Sequence, residues 1–544
     1  MEFLPRNLAM GLLFIFFVQG VVLIQSTSPT ADEVSFNVVN GYTYLKTRDY
    51  RMSPANPALL REWMTWPWLW LNPRLDLNKA SWKEADSVSF AKEFFYRDNG
   101  SKAETLLFIS RFMILLLGLG IGVIIYFWAK QLYGEWGAVL GLCFYAFCPN
   151  LLAHSALATT DIGVTFFCTM AAFFLWRRLE YSKPMDQWGF FLAFAFACAA
   201  KFNALLLGPA FLLVLWIKKG FWEFLKSSCY LLVSSFFVVW ASYGFEWKPV
   251  LGGGVPRISE KLGYLSAISD FLFPHQESVR NALEKFALQT SIPMPSYLLG
   301  LAGILRSHRT PYLHYAFGHW TMETQWYYYL FCFAVKVTLP FLILLILRAV
   351  YFKKSRVSSG HENLVILLPA AAVFLATWGD STAVGMRYLL PILPMLFVWV
   401  SGAAQWAANS RPWRRLLFFL VAANILTTLP AFPHYISYFN PLAQTIGGGY
   451  RYVRGSDVDW GQGLKSLKQY MTRHGIEKIS LEYFGPTDPS FYGIDSEPFS
   501  EEEKASPQKK VYAVSVFYLE HVRWADRIKP TATAAGSIRI YDLR

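Results

Sequence analysis

The sequence predicts an α-helical polytopic membrane protein with about eleven transmembrane helices and a small α/β domain at its C-terminal end. Of its 544 residues, 54% are hydrophobic and only 16% are charged. Soluble proteins of this length carry more charge, so most of the chain is predicted to lie in lipid. Aromatic residues make up 18% of the chain, which is typical of proteins with aromatic belts at both membrane interfaces.

Apolar runs of suitable length predict the positions of the spans. The first run extends from Leu8 to Ile24, after Arg6. It is long and has no convincing small-residue cleavage site, so we interpret it as an uncleaved first span rather than a signal peptide. Further spans are predicted near residues 105–128, 137–153, 161–176, 187–200, 203–217, 226–244, 326–349, 362–378, 386–404 and 414–431.

The net charge of +13 follows the predicted topology. If the N-terminus is inside, the inner loops carry most of the loop lysines and arginines, and short outer loops near 154–160, 201–202 and 379–386 carry very few. This asymmetry is the positive-inside rule, and it predicts an extracytoplasmic C-terminus. It explains the excess charge better than nucleic-acid binding does. The inner-loop residues are Lys130, Arg177, Arg178, Lys183, Lys218, Lys219, Lys226, Lys353, Lys354, Arg356, Arg411, Arg414 and Arg415.

Three longer regions are predicted on the outer side. The Trp- and Pro-rich loop 27–103 favours helices lying in the interface plane, and loop 245–325 is rich in Gly, Pro and aromatic residues. The polar region 432–544 predicts a soluble α/β domain, which divides the chain into a transmembrane domain at 1–431 and this second domain. Its predicted elements are helices at 457–474 and 519–528 and strands at 478–484, 510–517 and 537–543.

Acidic residues on the outer side are candidate catalytic groups. Asp32 and Glu33 follow the first span, and Asp161 lies in the outer turn before a later span. A carboxylate at this position could accept the proton of an acceptor hydroxyl as the hydroxyl attacks a sugar carbon. The residues alone also fit a solvated acidic turn at Asp32-Glu33, and Asp161 could cap its helix.

Five cationic or titratable residues accompany these acids. An ionisable side chain close to lipid is costly unless it lines a cavity or meets an opposite charge, and a lipid phosphate would provide one. Snorkelling to the interface is the alternative for Arg111 and Lys336. The turn positions of Lys201 and Arg387 favour anion binding more. The set is Arg111, Lys201, His319, Lys336 and Arg387.

Other motifs indicate structure more than chemistry. The six cysteines lie in apolar stretches without metal-ligand spacing and are interpreted as small core residues. The runs Gly252-Gly253-Gly254 and Gly447-Gly448-Gly449 lack the Lys-Ser/Thr ending of a phosphate loop. Asp457 and Asp459 with Trp460 could bind a sugar or a cation, although helix capping also explains the acids.

The order of several motifs resembles the GT-C membrane glycosyltransferases. The Asp-Glu pair is followed by SPANPALLREW, LLAHSALATTD, FGHWTMETQWYYYLFCFAVKVTLP, GMRYLLPILPMLF and SDVDWGQGLKSLKQY. Together they resemble the bacterial branch that is similar to dolichyl-phosphate-mannose protein mannosyltransferases and lipid A aminoarabinose transferases. The resemblance covers about residues 1–460.

The resemblance implies a bacterial inner-membrane enzyme that transfers a sugar, with inversion, from a polyprenyl-phosphate donor to a protein or glycolipid hydroxyl on the periplasmic face. It implies that Asp32 is the catalytic base, with Glu33 as its partner. Asp161 matches a second acidic position, which in some relatives helps to hold a divalent metal such as Mg²⁺ or Mn²⁺. Arg111, Lys201, His319, Lys336 and Arg387 would surround the donor phosphate. Many relatives have His-Pro-Pro-Leu where this chain has Asn56-Pro57-Ala58-Leu59, so a role for that histidine does not transfer.

Two other classes of function compete with this interpretation. A transporter or flippase for a lipid-linked or anionic substrate would show repeats and midplane charges, whereas the charges here cluster toward one face and no repeat is visible. In a non-catalytic scaffold the C-terminal domain would bind a partner and the acids would be dispensable.

Overall fold

A computed structural model describes residues 3–250, 285–307, 313–351, 360–380, 382–408 and 410–544. Within these residues, eight helices are long and apolar enough to cross a membrane, or nine if one bent helix pair counts as a span. The eight are Leu4–Ser26, Gly100–Ala146, Asp161–Tyr181, Phe202–Lys219, Phe221–Ser242, His361–Gly379, Leu390–Ala408 and Arg411–Ala431. The chain is therefore the polytopic helical protein that the sequence predicts.

The longest helical element is a hairpin of two spans. Ala103–Ala146 has 44 residues, which as a straight helix would extend about 66 Å. At Gly134 the backbone leaves the helical region, with φ 77° and ψ −176°. The Tyr145 hydroxyl donates to the Gly118 carbonyl, and a Cβ on Gly141 would contact Ile125, so the two halves run antiparallel. The predicted span 105–128 lies in the first half of the hairpin, and the predicted span 137–153 is divided between its second half and the short helix Pro149–Ser155.

The bent pair consists of Tyr328–Lys336 and Leu339–Val350, with 113° between the two helices. Thr338 precedes the second helix, which has Pro340 in its first turn. Carbonyls freed by a break must find other donors at membrane depth. Asn440 Nδ2 donates to the carbonyls of Ala334 and Val337, at 2.7 and 2.6 Å. The break is therefore hydrogen-bonded by a distant part of the chain and places Lys336 at a helix end.

The 17-residue helix Pro184–Ala200 lies at the predicted span 187–200, and the bent pair lies at the predicted span 326–349. The span predicted at 386–404 is a succession of short helical pieces. These are Met386–Leu389, Leu390–Ile392, Leu393–Val400, Ser401–Ala403 and Ala404–Ala408.

The first loop is helical, as its composition predicts. Its elements after the first helix, Phe3–Ser26, are the π-helical turn Glu33–Val38, then Val39–Thr47, Ala58–Thr65, Trp68–Leu71, Ala80–Lys83 and Ser87–Lys92, followed by the π-helical Glu93–Asp98 and the 3₁₀ turn Gly100–Lys102. A short helix, Pro149–Ser155, precedes Asp161–Tyr181.

The described part of loop 245–325 contains two small antiparallel pairs and a helix. Trp247–Pro249 pairs with Ser291–Pro293, and His314–Ala316 pairs with His319–Thr321. The helix is Pro295–Ser307. The predicted turn Gly252-Gly253-Gly254 and the inner-loop residues Lys353, Lys354 and Arg356 lie outside the described residues.

The C-terminal region contains a five-stranded sheet in the order 495–497, 478–482, 511–515, 538–542, 532–534. The first three strands are parallel and the last two join antiparallel. Leu464–Arg473 packs Leu464, Leu467 and Met471 against one face of the sheet. The strands are Asp495–Glu497, Lys478–Glu482, Val511–Ser515, Ile538–Asp542 and Ala532–Ala534, and Glu501–Ala505 is a further short helix.

The second helix predicted in this region, at 519–528, is wrong. Residues Val516–His521 form a 3₁₀ turn, and turns follow. Leu519, Val522 and Ala525 have helix-like spacing, but they pack into a small core with Phe499 and Tyr512. Trp524 Nε1 donates to the Glu503 carbonyl at 2.7 Å, so packing against the sheet decides the backbone here.

The connection between the spans and the sheet packs into the main core. Tyr435, Ile436, Val453 and Trp460 belong to the same apolar cluster as the transmembrane helices. This connection contains the short helical elements Tyr435–Ser437, Pro441–Thr445, Gly449–Arg451 and Gly455–Asp457. It brings residues near 460 to the end of the helical bundle where the first loop begins.

Candidate active site

Asp32 lies at the start of the Glu33–Val38 turn, where the first loop contacts the C-terminal region. The backbone N–H of Ala31 donates to the Trp460 carbonyl at 3.0 Å, and that of Ser28 donates to the Gln462 carbonyl at 3.2 Å. The Ser28 hydroxyl donates to the Gly461 carbonyl at 2.9 Å. Asp32 is therefore fixed by backbone contacts between two distant parts of the chain, and its side chain stays 29% exposed.

Four predicted residues form one continuous chain of alternating charge, which we call the charge cluster: Asp32, Arg387, Asp161 and Lys201. Arg387 donates from Nη2 to Asp32 Oδ2 at 3.0 Å and from Nε to Asp161 Oδ2 at 3.2 Å. Lys201 Nζ donates to Asp161 Oδ1 at 2.6 Å. Asp161 is fully buried. The cluster joins the first loop, the turn before Asp161–Tyr181, the turn after Pro184–Ala200 and the Met386–Leu389 helix.

Aromatic and neutral groups surround the charge cluster. The Arg387 guanidinium carbon lies 4.1 Å from the centre of the Trp460 ring, within cation–π range. His154 Nδ1 is 4.0 Å from Asp161 Oδ2, and Lys201 Nζ is 5.5 Å from the centre of the Tyr388 ring. No role is predicted from the sequence for His154 or Tyr388, although His154 lies in the motif LLAHSALATTD and Tyr388 in GMRYLLPILPMLF.

Glu33 and Arg111 form a separate pair. Arg111 donates from Nε and Nη2 to the two carboxylate oxygens of Glu33, both at 2.7 Å. The N–H groups of Thr30 and Ala158 donate to the same carboxylate at 2.8 and 2.7 Å. Both side chains are at most 1% exposed. The structure therefore places the predicted partner of Asp32, and one predicted phosphate ligand, inside the fold.

Lys336 and His319 occupy different positions from the charge cluster. Lys336 is buried and donates from Nζ to the carbonyls of Ile436 and Asp457, at 2.7 and 2.5 Å. Asp457 in turn accepts the N–H of Met386, the residue before Arg387, at 3.1 Å. Lys336 thus reaches the cluster only indirectly. His319 is exposed on its strand, and among the described residues no contact joins it to the cluster.

The residues around Asp161 do not fit a divalent metal ion. Both of its carboxylate oxygens already accept hydrogen bonds from cationic side chains, Lys201 and Arg387. A cation there would face two positive groups at close range, and the described part of the chain has no group of three or more His, Cys, Asp or Glu side chains arranged for a metal. Mg²⁺ and Mn²⁺ prefer several oxygen ligands, so no chemical step is assigned to a metal.

The arrangement combines one accessible carboxylate, Asp32, with a cation, Arg387, that the buried Asp161 also holds in place. Among the described residues, Asp32 accepts a side-chain hydrogen bond only through Oδ2, so Oδ1 can accept a proton. Arg387 uses two of its N–H groups on carboxylates, and a guanidinium has further donors that could bind an anion. Proton acceptance and anion binding are therefore possible side by side.

The fold and the charge cluster define a polytopic membrane protein with a candidate active site where the first loop and the C-terminal region meet. Residues 104–245 match the family model described as dolichyl-phosphate-mannose-protein mannosyltransferase. Asp161 and Lys201 lie inside the matched segment, and the match confirms the resemblance to GT-C membrane glycosyltransferases that the motifs predict. A search of curated protein sequences gave no match.

Solved structures give more distant similarities. The chain is 13% identical to the oligosaccharyltransferase of Archaeoglobus fulgidus tethered with an acceptor peptide, with a TM-score of 0.43, over 77% of this chain and 54% of that one. It is 12% identical to ArnT from Cupriavidus metallidurans, with a TM-score of 0.30 in the apo state and 0.31 with bound undecaprenyl phosphate, over 98% of this chain and 97% of ArnT. The chain thus spans only about half the length of the archaeal enzyme.

Proposed function

We propose that the chain is a glycosyltransferase that moves a sugar from a polyprenyl-phosphate donor to an acceptor hydroxyl of a protein or glycolipid, on the periplasmic face of a bacterial inner membrane. The observation that carries the proposal is the accessible Asp32 carboxylate held 3.0 Å from Arg387. The family model matched by residues 104–245 is named for a donor of this chemical class, and the predicted positive-inside topology places Asp32 on the outer face.

In the proposed reaction Asp32 acts as general base. The acceptor oxygen forms a bond to the anomeric carbon of the sugar, and its proton passes to Asp32. The bond between that carbon and the phosphate oxygen breaks, and the electron pair leaves with the polyprenyl phosphate. Because one displacement occurs, the anomeric configuration is inverted.

The cations of the cluster are proposed to stabilise the leaving phosphate. Charge develops on the phosphate as its bond to the sugar breaks, and fixed cations lower the energy of that state selectively. Asp161 is proposed to hold Arg387 and Lys201 in place through its hydrogen bonds at 3.2 and 2.6 Å. Glu33 and Arg111 have no part in this reaction because they satisfy each other inside the fold.

The test is release of undecaprenyl phosphate by the purified full-length protein from a panel of undecaprenyl-phosphate sugars. Asp32→Asn is expected to lower turnover by about 100-fold or more, without loss of folding. Asp49→Asn is the matched control, because Asp49 lies in the same loop, pairs with Arg51 at 2.9 Å and is 31% exposed. Equal turnover in wild type and Asp32→Asn would overturn the base assignment. Failure with every donor would favour transport of a lipid-linked substrate.

A further inference from the structure

Residues 457–464, which we call the 457–464 segment, form one wall of the candidate site. Besides the backbone contacts to Ser28 and Ala31, the N–H of Leu464 donates to the Ser28 hydroxyl at 3.1 Å. The segment thus lies against the residues that lead into Asp32. The sheet begins after it, so the segment links the C-terminal region to the base.

The same segment covers the face of Arg387. A guanidinium is planar, so hydrogen bonds along its edges and a ring on its face together fix its orientation. Asp32 and Asp161 bind the edges, and the Trp460 ring lies 4.1 Å from the guanidinium carbon. Trp460 is only 4% exposed. A ring so enclosed is not available to stack on a sugar. It packs instead against Arg387 and against His154, whose ring centre lies 6.2 Å from that of Trp460.

Asp457 holds the backbone next to Arg387. Its carboxylate oxygens accept the N–H of Met386 at 3.1 and 3.3 Å, and its carbonyl accepts Lys336 Nζ. Gly385 has φ 71°, and a Cβ there would lie 1.5 Å from Asp457 Oδ2. Only glycine permits this approach, so the position of the Met386–Leu389 helix is set by the 457–464 segment.

We propose that Trp460 and Asp457 are positioning residues that orient Arg387 toward the phosphate of the lipid-linked donor, so that the C-terminal region completes the donor site. This proposal rests on the proposed function. It differs from that function in making donor binding depend on two residues that lie 70 and 73 positions after Arg387 and do not themselves bind the phosphate.

The test measures binding of labelled undecaprenyl phosphate to the detergent-purified full chain. Trp460→Leu is expected to weaken binding about threefold to tenfold, and Trp460→Phe, which keeps an aromatic face, to weaken it less. The matched control is Trp524→Leu, because Trp524 is a similarly buried tryptophan of the C-terminal region that contacts Phe499 and Tyr512 instead. A general loss of folding would lower binding in both leucine variants.

The decisive comparison is a double-mutant cycle with Arg387→Ala. If Trp460 acts through Arg387, Trp460→Leu has little further effect once Arg387 is removed, and Gly385→Ala also weakens binding only while Arg387 is present. Fully additive effects of Trp460→Leu and Arg387→Ala would overturn the positioning role. Unchanged binding in Arg387→Ala alone would instead overturn the proposed phosphate site. If Trp460→Leu does not fold, Trp460→Phe takes its place in the cycle, and the Gly385→Ala cycle tests the contact with Asp457 separately.

Discussion

Asp32 and Glu33 are consecutive carboxylates with opposite environments. Glu33 accepts five hydrogen bonds, from Thr30 N–H and hydroxyl, the Ala158 N–H and two nitrogens of Arg111. Asp32 accepts a side-chain hydrogen bond from Arg387 among the described residues and is 29% exposed. Successive residues of a helical turn point in different directions, so the Glu33 carboxylate is buried in the fold and the Asp32 carboxylate beside it stays partly exposed.

The difference distinguishes the ion pair of Glu33 and Arg111, which stabilises the fold, from the ion pair of Asp32 and Arg387, which is proposed to take part in the reaction. Burial alone raises the pKa of Glu33, but Arg111 and the N–H donors outweigh it and hold that pKa below its ordinary value. A carboxylate with every lone pair occupied cannot take a proton from a substrate without losing those bonds. Asp32 keeps that capacity. An ion-paired carboxylate is thus a candidate base only when it is accessible and one of its oxygens is free to accept a proton.

Glu33→Gln tests the structural role of Glu33 and is expected to have the largest effect on stability. It leaves the Arg111 charge buried without a counter-charge, and we expect the folded state to lose about 3–5 kcal/mol. The measurement is thermal unfolding of the full chain in detergent, set beside Asp32→Asn, which should unfold close to wild type. Because the pKa of Glu33 is lowered by folding, its stabilisation is present above the unfolded pKa and is lost as the pH falls through the folded value.

Glu104→Gln is the control for this prediction. Glu104 pairs with Lys465 at 2.6 Å but is 47% exposed, and an exposed pair contributes little. A double variant, Glu33→Gln with Arg111→Met, should lose less stability than the sum of the single variants. Normal stability of Glu33→Gln together with loss of turnover would reverse the roles assigned to the two acids.

The comparison also shows what the sequence could predict. Apolar length predicts the spans, and loop position predicts that Asp32, Asp161, Lys201 and Arg387 share one face. The partner of each acid could not be predicted, because Arg111 is 78 positions from Glu33 and Arg387 is 355 positions from Asp32. Sequence patterns report the face of a membrane on which a residue lies, whereas ion pairing depends on which helices pack together.

The remaining differences have local causes. Trp460 has no periodic signal that would indicate a contact with Arg387, since it lies in a segment of turns stabilised by hydrogen bonds to Ser28 and Ala31. The absent helix at 519–528 had the right apolar spacing, but its residues pack against Phe499 and Tyr512. In both cases tertiary packing overrides the local pattern.

Arg387→Ala tests the cationic partner of Asp32 in this comparison. Removing a group that makes two charge-assisted hydrogen bonds should raise the KM for the undecaprenyl-phosphate sugar by about 10-fold to 100-fold, with a smaller change in acceptor preference. Arg387→Lys should also be impaired because an ammonium does not reproduce the guanidinium geometry that joins Asp32 and Asp161. Arg51→Ala is the control, because it breaks the ion pair with Asp49 in the first loop, which also contains Asp32. A change confined to acceptor use would contradict the phosphate assignment.

Asp459 is a further buried acid beside the site, and its described contacts include no cationic partner. Burial raises the pKa of Asp459 to about 6, although the Ser515 hydroxyl and the Gly461 N–H partly oppose this. The folded state therefore binds a proton more readily than the unfolded chain, and the contribution of Asp459 to stability is full below the unfolded pKa and falls as the pH rises through about 6.

Asp459→Asn should remove this dependence and unfold at a slightly higher temperature than wild type at neutral pH. The measurement is tryptophan fluorescence of the full chain from acid to neutral pH. Asp49→Asn should leave the pH profile unchanged. A wild-type profile that rises through this range, or an Asp459→Asn profile parallel to it, would show that Asp459, like Glu33, is ionised and stabilised inside the fold.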